Sequence, residues 1–209
     1  MSPRPAIEHI RKPQILDAAA QVITERGLGG TRIADVAKRV GTSAPAVLYW
    51  FESREELLNE ALIADEEAFA ERISGVLAGD GTAAEKLRRL IEATVGDSDI
   101  SLWVELWARS LHDPAAAAAR LRLDNAWRGM LADLIAAGRA AGEFEQGADP
   151  AQAALSLGSL MDGLGVQMTL RDPAVTPAGM LAIVIGHAES LLGAKLGHLE
   201  GDPAEALLA

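Results

Sequence analysis

The sequence predicts an all-α protein of about nine helices, in which a three-helix N-terminal head carries a helix-turn-helix and a long helix leads into a larger C-terminal helical body. Three observations predict it. Of the 209 residues, 49% are hydrophobic and only 4% aromatic, with alanine-rich runs that favour helix. No stretch of five or more residues alternates polar and apolar between turn signals, so nothing reads as a strand. Apolar residues recur instead at the i, i+3, i+4, i+7 spacing of amphipathic helices, in segments punctuated by Gly and Pro.

The first helix spans Pro13–Arg26, with Ile15, Leu16, Ala19, Val22 and Ile23 on its apolar side, and Gly27 with Gly29-Gly30 ends it. Then comes Thr31–Leu58, TRIADVAKRVGTSAPAVLYWFESREELL. Ile33, Val36, Ala37 and Val40 make one short amphipathic helix, which Gly41 breaks. Ser43 is placed to N-cap a second, with Pro45 in its first turn, where a missing N–H costs little, and apolar positions at Ala44, Val47, Leu48 and Phe51. Both helices are too short to stand alone in water, so they must dock as a unit on the first helix and present one side outward. At 100° per residue, a core face at Val47, Leu48 and Phe51 leaves Thr42, Ala46 and Tyr49 on the outer face, with Trp50 at its edge. Spacing alone allows a DNA-reading helix-turn-helix and a plain αα-hairpin.

Ser53 and Glu56, in capping-box spacing, open the fourth helix, which runs from Arg54 to about Ala78 with Leu58, Leu62, Phe69, Ile73 and Val76 on one side. At about 35 Å it is long enough to belong to both head and body. Gly79-Asp80-Gly81 stops it, and Thr82 with Glu85 makes a second capping box. Ser98 or Ser101 opens a helix through His112, and Asp113-Pro114 opens one to about Ala141. Asp149-Pro150 starts the next, to about Arg171, and Thr176-Pro177 the last, to about Leu196; the tail after Gly197 is marginal. The last two helices are apolar nearly all round, and Gly158, Gly163 and Gly165 allow close backbone approach. A monomer in water cannot cover both faces of both helices, so a homodimer through these two helices is expected, with complete burial inside one subunit as the alternative.

With a helix ending in Arg26-Gly27, the run Thr31-Arg32-Ile33-Ala34-Asp35-Val36-Ala37, Gly41-Thr42-Ser43, the aromatic cluster Tyr49-Trp50-Phe51 and Ser53-Arg54-Glu55-Glu56-Leu57, the chain resembles the TetR family of bacterial transcriptional regulators. The resemblance covers about the first 60 residues. One departure stands out: many members carry Tyr where Leu48 stands, whereas here the tyrosine comes one position later. The resemblance implies a homodimeric repressor of a palindromic double-stranded DNA operator, released by a small effector. It divides the chain into a DNA-binding domain, 1–55, and a ligand-binding and dimerisation domain, 56–209. Base contacts are expected from Thr42, Ser43, Ala46 and Tyr49, with Ala44 and Pro45 in the same first turn, and phosphate contacts from Thr31, Arg32, Trp50, Ser53 and Arg54. Arg4, Arg11 and Lys12 either touch phosphate as an arm or are solvated charges on a frayed terminus.

The net charge of −11 argues against nucleic acid only until its distribution is read. Residues 1–54 carry eight Lys/Arg against five Asp/Glu, and the remainder 11 against 25. A basic head on an acidic body orients the molecule on a polyanion, although a head of +3 is also an ordinary surface. The absence of cysteine removes disulfides and thiolate metal sites and suits a cytoplasmic protein. The start MSPRPAIEHIRKP lacks the apolar run of a signal peptide, and Pro173–Ala188, the longest stretch without Asp, Glu, Lys or Arg, is too short to span a bilayer.

In the body, Trp103 and Trp107 at i, i+4, Trp127, Met161 and Met168 suit the lining of a cavity for a small, largely apolar ligand, although for any one of them an ordinary core is the stronger expectation. Asp162, the acid of the apolar run Ala151–Leu170, faces solvent, bonds a partner across the dimer, or meets a ligand, in that order of expectation. The competing class is an enzyme. His9, His112, His187 and His198 show no metal-ligand spacing, and no phosphate loop or nucleophile elbow is present, so no catalytic residue, metal or cofactor is expected. A His/Asp/Glu site assembled in space would escape this reading, and a purely structural helical dimer would leave the outer face of Thr42, Ala46 and Tyr49 without a purpose.

Overall fold

A computed structural model describes residues 4–96, 100–147 and 149–197, with side chains from Lys12 onward. Among these residues every regular element is helical: α1 (Arg4–Gly30), α2 (Ile33–Val40), α3 (Ala44–Leu48), α4 (Arg54–Leu77), α5 (Ala83–Gly96), α6 (Ser101–Ser110), α7 (Pro114–Ala140), α8 (Pro150–Thr169) and α9 (Pro177–Leu192). The all-α expectation holds. The side chains of Arg4, His9 and Arg11, together with Ser98, His198 and the tail beyond it, lie outside the described residues.

Helix starts follow their capping chemistry. Asp113 accepts from the N–H groups of Ala115 and Ala116, Asp149 from those of Ala151 and Gln152, and Thr176 from that of Gly179. Thr82 and Glu85 exchange the two bonds of a capping box, at 2.9 and 3.1 Å. Two limits differ from expectation. Helix α1 begins at Arg4, ahead of the expected start, with Pro13 inside it. Its continuous part still stops at Gly27, where φ is 70° and ψ 166°. Helix α9 ends at Leu192, short of Leu196, because Gly193 takes the left-handed conformation, φ 60°.

The chain forms two compact units. The first holds the chain up to Ala70 together with Ser101–Leu123. Its core is Ile15, Ala19, Val22 and Ile23 of α1, Val36 of α2, Val47 of α3, Phe51, and Leu57, Leu58 and Leu62 of α4, closed by Leu102 and Leu106 of α6. The second holds Glu71–Ile100 and the chain from Asp124 on. There α9 packs on α5 and α8, and Leu87, Leu90, Ile91, Leu131, Leu157 and Val184 are buried. The sequence divides the chain at 55/56, whereas the contacts place α6 and the start of α7 with the head, because Leu102 and Leu106 complete its core. Helix α4 therefore supplies residues to both units.

Candidate functional site

The surface of interest is built on a turn. Gly41 ends α2 in the left-handed conformation, φ 73°, and the N–H of Thr42 returns to the carbonyl of Ala37 at 2.8 Å. An L side chain at Gly41 would be strained, so glycine is what lets the chain reverse within two residues. Ser43 then caps α3, its hydroxyl accepting from the N–H of Ala46. Val36, Ala37, Val47 and Phe51 seat the pair on α1 and α4.

What this docking leaves outward is Ser43, Pro45, Leu48 and Tyr49, with Thr42, Ala44 and Ala46 half-buried beside them. Tyr49 is 68% exposed and stands edge-on to Trp50, ring centroids 5.6 Å apart. Leu48 corrects the expected core face. It is 44% exposed, because α3 is only five residues long and Val47 and Phe51 alone fill the contact, leaving Leu48 rotated about 100° away. Trp50 is half-buried against the core and keeps only an edge outward.

Two residues expected at phosphate, Thr31 and Arg54, make hydrogen bonds within the chain. Thr31 is 1% exposed, and its hydroxyl donates to the carbonyl of Gly27 at 2.9 Å, bracing the turn after α1. Arg54 is engaged through all three nitrogens. Nε donates to Thr31 O at 2.9 Å, Nη2 to Leu28 O, and Nη1 to Glu55 Oε1 at 2.6 Å. It clamps the same turn to the start of α4. Ser53 accepts from the N–H of Glu56 at 3.1 Å as a helix cap. Arg32 is exposed at the start of α2 and Lys38 in its last turn, and among the described residues neither has an ion-pair partner. Lys12, Arg26 and Arg39 are paired with Glu60, Asp35 and Glu25. Lys38 and Leu48 are the members of this surface that spacing missed. Exposure of one flank of a five-residue helix, and the absence of an acid to pair with, are not written in periodicity.

The clamp continues into α6. Glu105 accepts from the N–H of Leu28 at 3.1 Å, and Arg109 donates to Glu55 at 2.9 Å and to Asp113 at 3.3 Å, where Asn59 also donates. The hydrogen bond from Arg109, then that from Arg54, holds the Glu55 carboxyl below its ordinary range. The Ala116 N–H, then Asn59, do the same for Asp113.

The expected ligand-lining residues fall into two groups. Trp103 and Trp107 belong to the first unit, half-buried with centroids 5.6 Å apart. Trp127, Met161, Asp162 and Met168 belong to the second. There the indole of Trp127 lies over Gly158, where a Cβ would come 3.6 Å from Nε1, and Met161 is buried. Asp162 is half-buried. Burial, then the neighbouring Asp124, pushes its carboxyl up to about 6, against the pull of Arg128. Arg128 itself reaches Asp124 at 3.3 Å. Among the described residues no three His, Asp or Glu are grouped to hold a metal ion, and no helix is long and apolar enough to cross a membrane.

Residues 15–61 match the family model for bacterial regulatory proteins of the tetR family, and residues 83–193 that for the C-terminal part of BetI-type transcriptional repressors. The HTH-type transcriptional regulator BetI of Burkholderia thailandensis is 29% identical over 204 residues, covering 92% of this chain and 99% of that protein. The chain is also similar to the crystal structure of a transcriptional regulator from Saccharomonospora viridis in complex with choline, with TM-score 0.82, 26% identity, and coverage of 88% of this chain and 98% of that one. The FadR regulator of Bacillus subtilis, solved with stearoyl-CoA, shares the fold at TM-score 0.67 and 21% identity, over 86% of this chain and 97% of that one.

Proposed function

The chain belongs to the TetR family of ligand-responsive transcriptional regulators, and from that premise we propose that it is a repressor that reads a two-fold operator as a homodimer and leaves it when a small methylated ammonium compound binds the helical body. The observation that carries the DNA half is the outward edge Ser43, Pro45, Leu48 and Tyr49, flanked by the cations Arg32 and Lys38, which have no ion-pair partner among the described residues. Its few long polar groups favour apolar contact with thymine methyls and reading of DNA shape, while Arg32 and Lys38 take phosphates. Two-fold symmetry sets half-sites about 34–36 Å apart, or a multiple of it. Exposed Leu155 on α8 and Ile183 on α9 support the dimer as apolar surface, and the exposed small residues Ser159 and Gly163 on α8 and Gly186 and Ser190 on α9, at i, i+4 spacing, let helices approach closely.

The choline held by the S. viridis protein supports the ammonium, and this chain offers matching chemistry in Trp127, Asp162 and Asp124. A methylated ammonium is apolar over most of its surface and cationic at its centre, which suits an indole and a half-buried carboxylate. Helix α4 starts at the Arg54 clamp and supplies residues to both units, so an effector that shifts it alters how the head is held. Selection from random duplexes should return an inverted repeat, and choline should bind more weakly to the operator complex than to free protein, by the factor by which it weakens operator binding. Recovery of no enriched sequence overturns the DNA reading. Equal choline affinity with and without operator overturns the release mechanism.

A further inference from the structure

Gly129 sits inside α7, where glycine weakens a helix relative to alanine, and no packing within the chain calls for it. Among the described residues, no atom beyond its own stretch of helix comes within 4 Å of the place a Cβ would take. It is exposed, and it lines a groove of about 540 Å³ within the second unit, together with Leu77 at the end of α4, Lys86 of α5, and Met130, Asp133 and Leu134 of α7. That volume falls within the range of small-molecule sites. Leu77, Met130 and Leu134 are half-buried and give the groove apolar walls. Lys86 and Asp133 bring one charge of each sign, and among the described residues neither side chain has a hydrogen-bond or ion-pair partner, the other included.

These two charges select the occupant. A lone anion is drawn to Lys86 and repelled by Asp133, and a lone cation meets the reverse. A neutral apolar molecule takes water from both charges and pairs neither. A zwitterion with an apolar side chain pairs both, lays its hydrocarbon against the walls, and approaches the helix backbone where Gly129 has no side chain. We propose that this groove binds a small zwitterion of the α-amino acid class with an apolar side chain, its carboxylate on Lys86 and its ammonium on Asp133. Gly129 lies about 200° round α7 from Trp127, so the groove is distinct from the methylated-ammonium site at Trp127 and Asp162.

The test uses the full chain and L-leucine as probe, followed by the methyl signals of its five methionines in ¹³C spectra, assigned with single Met→Leu variants. The Met130 signal should move along a saturating curve while those of Met161, Met168 and Met180 stay. N-acetyl-L-leucine, which keeps only the carboxylate, and L-leucinamide, which keeps only the ammonium, should each bind about fivefold more weakly. Lys86→Gln should remove the advantage of leucine over leucinamide, and Asp133→Asn its advantage over N-acetylleucine, each leaving the other advantage in place. Gly129→Leu should abolish the Met130 shift without lowering the melting temperature, since leucine is the better helix former. A Met130 signal that ignores millimolar leucine, that answers all three compounds equally, or that still moves in Gly129→Leu overturns the proposal. Movement of Met161 or Met168 without Met130 puts the amino acid elsewhere in the body and also overturns it.

Discussion

Each compact unit contains a pair of carboxylates sharing an arginine, and the two pairs reach opposite electrostatic ends. In the first, Glu55 and Asp113 share Arg109, and further donors from Arg54, Asn59 and two backbone N–H groups hold both carboxyls in the charged form. In the second, Asp124 and Asp162 share Arg128, yet burial and mutual repulsion outweigh the arginine and Asp162 rises to about 6. An arginine alone does not set the outcome. Dedicated donors turn the first cluster into a clamp on the helix-turn-helix, whereas in the second the burial of Asp162 prevails over the pull of its arginine.

The largest effect should come from breaking the clamp. Arg54→Ala removes the donors to Leu28 O, Thr31 O and Glu55. Urea unfolding should show a loss of about 2–3 kcal/mol, since charge-assisted bonds to half-buried acceptors are the strong ones. Operator binding should weaken with the slope of affinity against salt unchanged. A slope flattened by about one unit would instead restore Arg54 as a phosphate contact.

This reversal shows what the sequence could and could not carry. The starts of α3, α5, α7, α8 and α9 were legible because Ser43, Thr82, Asp113, Asp149 and Thr176 act on N–H groups two or three residues away. The clamp was not, because Arg54 meets Leu28 and Thr31 more than twenty positions back and Arg109 meets Glu55 more than fifty away. An arginine opening a helix beside a DNA-reading turn looks the same in sequence whether it faces phosphate or two carbonyls. The burial of Thr31 against Gly27 O was illegible for the same reason. Leu48 was misplaced because helical periodicity averages over turns and α3 has barely more than one.

The second cluster should give the next largest effect, with opposite sign. The folded value of Asp162, about 6, lies above its ordinary 3.8, so between these pH values the folded protein binds more protons than the unfolded chain and stability falls as pH rises. Above pH 6 the full cost applies, about 1–2 kcal/mol once partial solvent screening is allowed for. Asp162→Asn should therefore stabilise the protein by that amount at about pH 8 and by almost nothing near pH 3. A benefit that does not depend on pH would mean that packing, not charge, distinguishes the clusters.

Glu55→Gln probes the clamp from its carboxylate side and should do less, because Glu55 is largely exposed. Its folded pKa is lowered, so its contribution is present above the ordinary value of 4.5 and is lost as pH falls through the folded value. The expected loss is below about 1 kcal/mol at pH 7 and absent in strong acid, read by thermal melts across pH. A loss equal to that of Arg54→Ala would place the strength of the clamp in the ion pair instead of the backbone carbonyls.

The smallest effect separates the two causes that raise Asp162. Asp124→Asn removes the neighbouring charge and also the acid that Arg128 now reaches at 3.3 Å, leaving that guanidinium able to turn toward Asp162. Both changes favour the carboxylate, so the titration of Asp162, followed by carboxyl ¹³C NMR, should move down from about 6. It should stop short of 3.8, because burial is the larger cause and the substitution leaves it in place. An unchanged midpoint would show that Asp124 is screened and that burial acts alone. A midpoint at the ordinary value would show that repulsion is the dominant cause, and that a bound cation would act on Asp162 by replacing a missing partner more than by entering an apolar site.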